Sequence, residues 1–516
     1  MFAVRLNSAP CSEVTFVLRY EELIARQLSK FKHTLSLQPG GVVEDFQARV
    51  RVIEQQGVTS THASDYVLIE HVSNKEVVFS YTPTVDQQHD TAFGLARDMF
   101  VEYDVNHPTK GTGLFIVNDC FFAQFFSPSG VNPVPVDLVF VIDVSGSMSG
   151  RKIRQTIEAL ETIINQLRLE DKFTMVTFES RVQTWKRRLV SVQHYRNQAI
   201  NFAKGLRASG GTNFNGGLQT GAHILKEYAD PNNVHLLVIL TDGYPTVGVT
   251  STEQILENAE DVLAGTKISL NCLGFGNSLN YNLLERLALN NNGIPRRIYE
   301  GGDAALQLEG FFEEISTPIL HDLTVNFPDG SVKKSTETKL PILFDSNEFV
   351  VAGQFSCDNM SLIENMITVQ VTGIGSSAPV TYESTVDTMA DTIIAGLKPS
   401  TERLSAYLFI QQLLEKKKIA ESLEAKQAIK RRALRLSLKY NFVTDLTSLL
   451  VVEDRDGTKG SQLPTSGDSR QYDHLAAIIA PTASPIATTF GRIPNGPRAL
   501  PWIPYLIAQH HIAGAT

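Results

Sequence analysis

The stretch LVFVIDVSGS (residues 138–147) decides the fold that we expect for this chain. Five apolar residues closed by a polar turn are typical of a strand buried in a parallel sheet. The strand brings the oxygen side chains of Asp143, Ser145 and Ser147 to the loop at its carboxyl end. Open α/β sheets bind their ligands at that edge. The stretch therefore predicts a parallel sheet with a ligand site above it.

The residues after this stretch alternate between helical and strand patterns. Apolar residues within 153–167 recur at the spacing of one helix face, and compact apolar runs follow at 173–178 and 234–240. Strands that alternate with helices are the pattern of βαβ units. The alternation predicts a doubly wound parallel sheet over residues 136–318.

The flanking segments carry other patterns. Apolar residues before residue 127 recur at every second position, which predicts a β-sandwich-like domain. Its first strand begins almost at Met1, so we expect a truncated N-terminus. The C-terminal tail is rich in Pro, Gly, Ser, Thr and Ala, which predicts disorder. The expected division is a β domain at 1–127, a linker at 128–135, the α/β domain at 136–318, a β-rich segment at 319–395, a helical segment at 396–453 and a disordered tail at 454–516.

Composition and charge exclude two classes of partner. The chain has 516 residues, of which 42% are hydrophobic and 20% charged, as in ordinary globular proteins of several domains. Its net charge of -9 argues against a general nucleic-acid-binding surface. No apolar run reaches the roughly 18 residues that a membrane span needs. The basic runs 416–418 and 430–432 are expected to be solvated helix faces rather than a polyanion site.

The cysteines and the N-terminus give opposing indications about the compartment. Cys11, Cys120, Cys272 and Cys357 are scattered without a CxxC pair, which argues against a zinc site. Cys272 lies in an apolar strand and is expected to be a buried, inert thiol. The first twenty residues lack the apolar core of a signal peptide, which favours an intracellular protein. The sequon at 359–361 is a weak indication of secretion.

Two distant stretches contain further oxygen ligands. They are GGTN (210–213) and LTDG (240–243), which contribute Thr212 and Asp242. Taken singly, Thr212 could be a helix N-cap, Asp242 a turn residue, and the two serines of the first loop cap residues. Each stretch, however, follows a predicted strand or precedes a predicted helix. The conjunction favours one metal site built from all three loops.

Carboxylate and hydroxyl oxygens are hard ligands, which suit Mg²⁺ best, with Mn²⁺ and Ca²⁺ as alternatives. We expect Ser145, Ser147 and Thr212 to bind the cation directly, and Asp143 and Asp242 to bind it directly or through water. The two carboxylates just cancel the charge of a divalent ion. At least one coordination position would remain open for an acidic group of a partner.

The motifs also resemble a known family. DVSGSMSG (143–150), GGTN and LTDG, in this order, resemble the metal-ion-dependent adhesion site of von Willebrand factor A domains. The stretch at 20–40, YEELIARQLSKFKHTLSLQPG, resembles the vault/inter-alpha-trypsin domain. GFFEEISTPIL (310–320) and ALRLSLKYNFVTDLTSLLVVE (433–453) resemble inter-alpha-trypsin inhibitor heavy chains. The resemblance covers about residues 12–453.

The resemblance implies a secreted, non-enzymatic plasma or matrix glycoprotein associated with hyaluronan metabolism. Its implied partners are an acidic protein or matrix ligand and a hyaluronan or chondroitin sulfate proteoglycan. In the family, covalent attachment to these glycosaminoglycans uses the aspartate left after cleavage in an Asp-Pro-His-Phe motif. The Asp-Pro pair of this chain, Asp230-Pro231, is followed by two asparagines. Covalent transfer is therefore not expected.

Two other functions stay open at this point. An intracellular adaptor with the same two domains would agree with the missing signal peptide. A hydrolase could use the cation with Asp143, but the ligand set contains no general base and the chain has no HExxH motif. His223 and His235 are expected to be packing or surface residues.

Overall fold

The fold is described from a computed structural model of the chain. No helix in the part of the chain that it describes is long and apolar enough to cross a membrane. The described residues are 15–21, 23–24, 26–276, 279–300, 302–356, 366–388, 392, 400–447 and 507–513.

The N-terminal domain consists of antiparallel strands. They are β1 (Thr15–Glu21), β2 (Arg26–Gln27), β3 (Lys30–Leu37), β4 (Ala48–Ile53), β5 (Val58–Ala63), β6 (Leu68–Ser73), β7 (Glu76–Tyr81) and β8 (Arg97–Val105), with a 3-10 turn at Val85–Gln88. One sheet has the order β2-β3-β8-β5 and the other β4-β7-β6. Every second residue of β3 is buried, and Phe79, Met99 and Tyr103 belong to the core of this domain. The period-two pattern arises because one face of each strand packs on this core.

The central α/β unit matches the predicted alternation. Two strands precede it, β9 (Leu114–Asn118) and β10 (Phe121–Phe126). The unit itself contains β11 (Val136–Asp143), α1 (Arg151–Gln166), β12 (Lys172–Phe178), β13 (Val182–Thr184), β14 (Val190–Ser191), α2 (Val192–Lys204), α3 (Phe214–Tyr228), β15 (Val234–Thr241), α4 (Thr252–Leu263), β16 (Ser269–Phe275), α5 (Tyr281–Asn290), β17 (Pro295–Ile298) and α6 (Ala304–Ile315). The sheet order is β13-β12-β11-β15-β16-β17. Strands β12, β11, β15, β16 and β17 are parallel, which confirms the doubly wound sheet.

Strand β11 is apolar throughout because helices cover both faces of the sheet. Leu138, Phe140 and Ile142 pack with residues of α1, α2 and α6, whereas Val139 and Val141 pack with residues of α3, α4 and α5. The chain moves outward from β11 to β12 and later returns to β15 on the other side. The carboxyl ends of β11 and β15 therefore border the switch point where open sheets bind ligands.

Strands from both sides of the α/β unit form one sandwich. The strands after the unit are β18 (Pro318–Asn326), β19 (Val332–Ser335), β20 (Lys339–Phe344), β21 (Phe349–Phe355), β22 (Met366–Ile374) and β23 (Pro379–Asp387). The sheets have the orders β19-β21-β10-β9 and β20-β18-β22-β23. Phe126 of β10 packs edge-on against Tyr382 of β23, with ring centroids 5.1 Å apart. The division at residue 127 that the sequence indicates does not anticipate this long-range pairing.

The segment after the sandwich is helical. Helices α7 (Thr401–Ile419) and α8 (Leu423–Lys439) follow, and Leu408 of α7 packs against β10 and β21. Strand β24 (Ile507–Ala513) pairs antiparallel with β1. The predicted disorder of 454–516 stays a prediction, because the described part of that range is limited to residues 507–513, which form β24. Pairing with a strand more than 480 positions away is not visible in the local composition of the tail.

The described cysteines differ in their chemistry. Cys272 is free and buried in β16, as predicted, and its burial raises the pKa of the thiol. Cys120 is disulfide-bonded and lies in the two-residue turn between β9 and β10. The sequon at 359–361 lies outside the described residues.

Candidate functional site

The loop after β11 carries three of the predicted ligands. Asp143 is the last residue of the strand, and a short 3-10 turn follows at Gly146–Met148. Asp143 Oδ1 accepts a 2.8 Å hydrogen bond from the backbone N–H of Ser145, which folds the loop back over the strand end. The hydroxyl oxygens of Ser145 and Ser147 lie 3.1 Å apart. The loop therefore directs both hydroxyls to one place.

The loop after β15 contacts the first loop through side chains. Ser147 Oγ donates to Asp242 Oδ1 at 2.6 Å. Thr241 Oγ1 donates to Asp143 Oδ2 at 2.5 Å. Both carboxylates are buried. Two neighbouring parallel strands thus bring their terminal oxygen groups into direct contact.

The third loop precedes α3 and lies against the first. The N–H of Gly146 donates to the carbonyl of Gly210 at 3.0 Å, and the N–H of Ser209 donates to the carbonyl of Val144 at 2.8 Å. A Cβ placed on Gly243 would lie 3.5 Å from Ser147 Oγ and 3.9 Å from Thr212 Oγ1. The hydroxyl of Thr212 therefore faces the same space as that of Ser147.

The capping alternatives are wrong for this site. Helix α3 is capped by Asn213, whose side chain accepts from the N–H of Gly216 at 3.1 Å, so Thr212 is not the N-cap. Neither Ser145 nor Ser147 caps a helix with its side chain. The structure brings all five predicted residues together. The hydroxyls of the two serines and of Thr212 face the site. Their role as metal ligands stays a prediction.

The electrostatics of the site favour a cation. Burial raises the pKa of Asp143, and the nearby charge of Asp242 adds to this effect. Hydrogen bonds from Thr241 and Ser145 oppose it without cancelling it. Two buried carboxylates that raise each other's energy are stabilised when a positive charge is placed between them.

A lysine that the sequence analysis did not select belongs to the same site. Lys152 Nζ lies 2.6 Å from Asp242 Oδ2 and 3.4 Å from Glu300 Oε1. Burial opposes the charged form of Lys152, but the hydrogen bond and charge of Asp242 outweigh it and raise the pKa of the ammonium group. Lys152 is the second residue of α1, where the helix dipole disfavours a positive charge. The sequence gives no specific signal for Lys152, because Arg151 and Arg154 lie in the same first turn of α1.

The donor set fits a hard divalent cation. It combines two carboxylates with three hydroxyls, and hydroxyl and carboxylate oxygens suit Mg²⁺, Mn²⁺ or Ca²⁺. Within the described ranges no group of three or more His, Cys, Asp or Glu side chains is placed to hold a metal. The hydroxyls are therefore needed to complete any coordination shell at this edge of the sheet.

Comparison with known proteins identifies the central unit and its relatives. The family model of the von Willebrand factor type A domain matches residues 137–314. Inter-alpha-trypsin inhibitor heavy chain H3 of Mus musculus is 39% identical over 481 residues, which are 88% of this chain and 53% of that protein. The H3 chain of Homo sapiens is 38% identical over 510 residues, covering 94% and 56%. The H4 chain of Homo sapiens is 34% identical over 495 residues, covering 91% and 52%.

Solved structures include more distant matches. The von Willebrand factor type A protein from Catenulispora acidiphila is 16% identical with a TM-score of 0.44, covering 65% of this chain and 88% of its own. The ArnB paralog VWA2 from Sulfolobus acidocaldarius is 13% identical with a TM-score of 0.39, covering 78% and 92%. The chain spans about half the length of the curated heavy chains that it matches. It belongs to the inter-alpha-trypsin inhibitor heavy chain family and contains a von Willebrand factor type A domain.

Proposed function

We propose that this chain is a non-enzymatic extracellular adhesion protein that binds an acidic partner through a divalent cation. The observation that carries the proposal is the contact between loops: Ser145, Ser147 and Asp242 form a continuous chain of oxygen contacts, with Asp143 and Thr212 beside it. Residues from three loops converge here although they are far apart in sequence. Such convergence of hard oxygen donors is what a Mg²⁺ site requires.

Each residue has a defined task in this proposal. The hydroxyls of Ser145, Ser147 and Thr212 would hold the ion, and Asp143 and Asp242 would balance its charge directly or through water. Thr241 orients Asp143 by its 2.5 Å hydrogen bond. A bound divalent cation would supply an electrophilic position for an oxygen of the partner. Mg²⁺ takes about six ligands, so five side chains leave room for that oxygen.

The site supports binding rather than hydrolysis. In the described residues the hydroxyls of Ser145 and Ser147 contact each other, and that of Ser147 also contacts Asp242; no imidazole is bonded to either. A serine nucleophile needs a general base within hydrogen-bond reach. His235 contacts the backbone carbonyl of Asp230 at 2.8 Å, away from the two serines. Among the described residues, neither hydroxyl is therefore paired with a histidine base.

Secretion is part of the proposal. Disulfides persist in oxidising compartments and are rare in the cytosol, and Cys120 is disulfide-bonded. This bond favours the extracellular assignment over the intracellular adaptor. The resemblance to inter-alpha-trypsin inhibitor heavy chains implies a role in hyaluronan metabolism, so we include that role in the proposal, with a hyaluronan or chondroitin sulfate proteoglycan among the partners.

The test is metal-dependent binding to a defined ligand surface. Wild-type protein and Asp242→Asn are passed over immobilised hyaluronan and over immobilised acidic matrix protein, with Mg²⁺ or with EDTA. The proposal expects wild-type binding to at least one surface in Mg²⁺, and its loss in EDTA and in the variant. Binding that is equal in Mg²⁺ and EDTA would show that the cation is not the contact.

A further inference from the structure

The two oxygens of Asp242 have different partners. Oδ1 accepts from Ser147 at 2.6 Å on the side of the hydroxyl cluster. Oδ2 accepts from Lys152 Nζ, also at 2.6 Å. The Asp242 side chain is fully buried and that of Lys152 is 21% exposed, so solvent screens this pair little. The carboxylate is therefore fixed with one oxygen toward the ion-binding hydroxyls and the other toward a permanent cation.

Lys152 changes the charge that the site presents to a metal. Asp143 and Asp242 carry two negative charges, and the positive charge of Lys152 offsets one of them. Glu300 lies farther from Lys152, at 3.4 Å, and its side chain is 49% exposed. Solvent screens that carboxylate more strongly, so it restores little of the negative charge at the buried oxygens. The buried groups that face the ion thus carry one net negative charge.

We propose that Lys152 sets the ligand preference of the adhesion site. Its charge lowers the affinity of the two carboxylates for a divalent cation. It also leaves the metal-loaded site with one net positive charge, which a carboxylate of the ligand neutralises. The inference rests on the proposed function. With a neutral residue in place of Lys152, the two aspartates alone would neutralise the ion, and an anionic ligand would gain less from binding.

The proposal predicts two effects of opposite sign in one variant. Because the repulsion between Lys152 and the ion is removed, Lys152→Met should bind Mg²⁺ about tenfold more tightly by calorimetry. Acetate, the simplest carboxylate, should bind the Mn²⁺-loaded variant several-fold more weakly than Mn²⁺-loaded wild type. Paramagnetic broadening of the acetate methyl proton signal measures that binding. Damage to the fold would lower both the Mg²⁺ affinity and the acetate affinity. A rise in the first with a fall in the second is therefore specific to the loss of charge.

Three controls separate charge from other effects. Lys152→Arg keeps the charge and should stay close to wild type in both titrations. Lys204→Met removes a lysine of α2 that pairs with Glu161 at 2.7 Å, and it should change neither affinity. Lys152→Gln gives the same neutralisation if methionine packs badly.

The source of the carboxylate is resolved by the choice of probe. Parallel titrations use glucuronate for a sugar carboxylate and N-acetylglutamate for a protein carboxylate, and whichever binds must bind Lys152→Met more weakly. Equal Mg²⁺ affinity, or equal carboxylate affinity, in wild type and Lys152→Met would overturn the inference and leave the proposed function intact. Failure of the wild type itself to bind Mg²⁺ would overturn the proposed function.

Discussion

Ser147 donates a 2.6 Å hydrogen bond to Asp242, and this single contact joins residues that are 95 positions apart in the chain. It connects the loop after β11 to the loop after β15 at the switch point of the sheet. Each loop taken alone could be a turn or a helix cap, because the site forms only where the two loops meet. A hydroxyl and a carboxylate that already touch need little rearrangement to share a cation.

Replacement of a hydroxyl ligand should weaken metal binding without unfolding the domain. Ser147→Ala removes one donor from the set, so we expect Mg²⁺ affinity to fall at least about tenfold by calorimetry. Ser149→Ala is the matched control, because Ser149 is an exposed serine of the same loop. Its affinity should equal that of wild type. An unchanged affinity in Ser147→Ala would remove Ser147 from the coordination shell.

Replacement of Asp143 should have opposite effects on metal binding and on stability. Burial penalises the charge of Asp143, so Asp143→Asn should raise the melting temperature in EDTA by about 2 to 4 °C if ~1 kcal/mol is recovered. The same variant should lose the stabilisation that Mg²⁺ gives to wild type. Scanning fluorimetry in EDTA and in Mg²⁺ measures both.

Asp137, at the other end of β11, is the control for this experiment. Burial also raises the pKa of Asp137, whose Oδ2 accepts from the N–H of Asp230 at 2.6 Å. Asp137→Asn should leave the Mg²⁺-dependent shift as in wild type. If both asparagine variants lost the shift, it would report the stability of β11 rather than a ligand role for Asp143.

Two buried carboxyls should make stability fall as pH rises. Burial raises the pKa of Glu54 to about 8, against a smaller opposing effect of its hydrogen bond from Tyr103. Burial likewise raises the pKa of Glu348 to about 8, partly opposed by Arg26. Unfolding returns both to 4.5, so between pH 4.5 and 8 the folded state binds more protons than the unfolded state. The contribution of these two groups to the free energy of unfolding is therefore largest below pH 4.5 and is lost progressively as the pH rises toward 8.

The measurement is the melting temperature between pH 5 and pH 9 in EDTA. The glutamine in Glu348→Gln is neutral at every pH, so stability should fall less steeply with pH in this variant than in wild type. The loss of one titrating group changes the slope of the unfolding free energy by at most ~1.4 kcal/mol per pH unit. Glu76→Gln is the control, since Glu76 is an ion-paired surface carboxylate whose pKa is lowered by Arg51. A decline as steep in Glu348→Gln as in wild type would contradict a protonated Glu348 at neutral pH.

The sequence predicts those parts of the site that depend on local pattern. The apolar run before Asp143 identifies β11 because helices cover both of its faces, and the loop after it is short. Thr212 and Asp242 are predictable as members of strand-end and helix-start loops. The exact cap is less predictable: Asn213 rather than Thr212 caps α3, and the sequence alone does not decide between two adjacent polar residues that are both good N-caps.

The features that sequence reasoning missed depend on contacts between distant residues. Lys152 reaches Asp242 across 90 positions, and Glu300 follows β17, a strand of only four residues with no clear pattern. The pairing of β10 with β21 spans the whole α/β unit. Periodicity reports which face of an element is buried, but it does not report which other element covers that face.

The most direct test of the account is a crystal structure of the protein grown with Mn²⁺. Anomalous scattering locates the ion independently of the protein model. We predict one strong peak in direct contact with the hydroxyl oxygens of Ser145, Ser147 and Thr212, beside Asp143 and Asp242. A fully loaded crystal with no peak among these oxygens, or with Mn²⁺ bound only elsewhere, would contradict the proposed adhesion site.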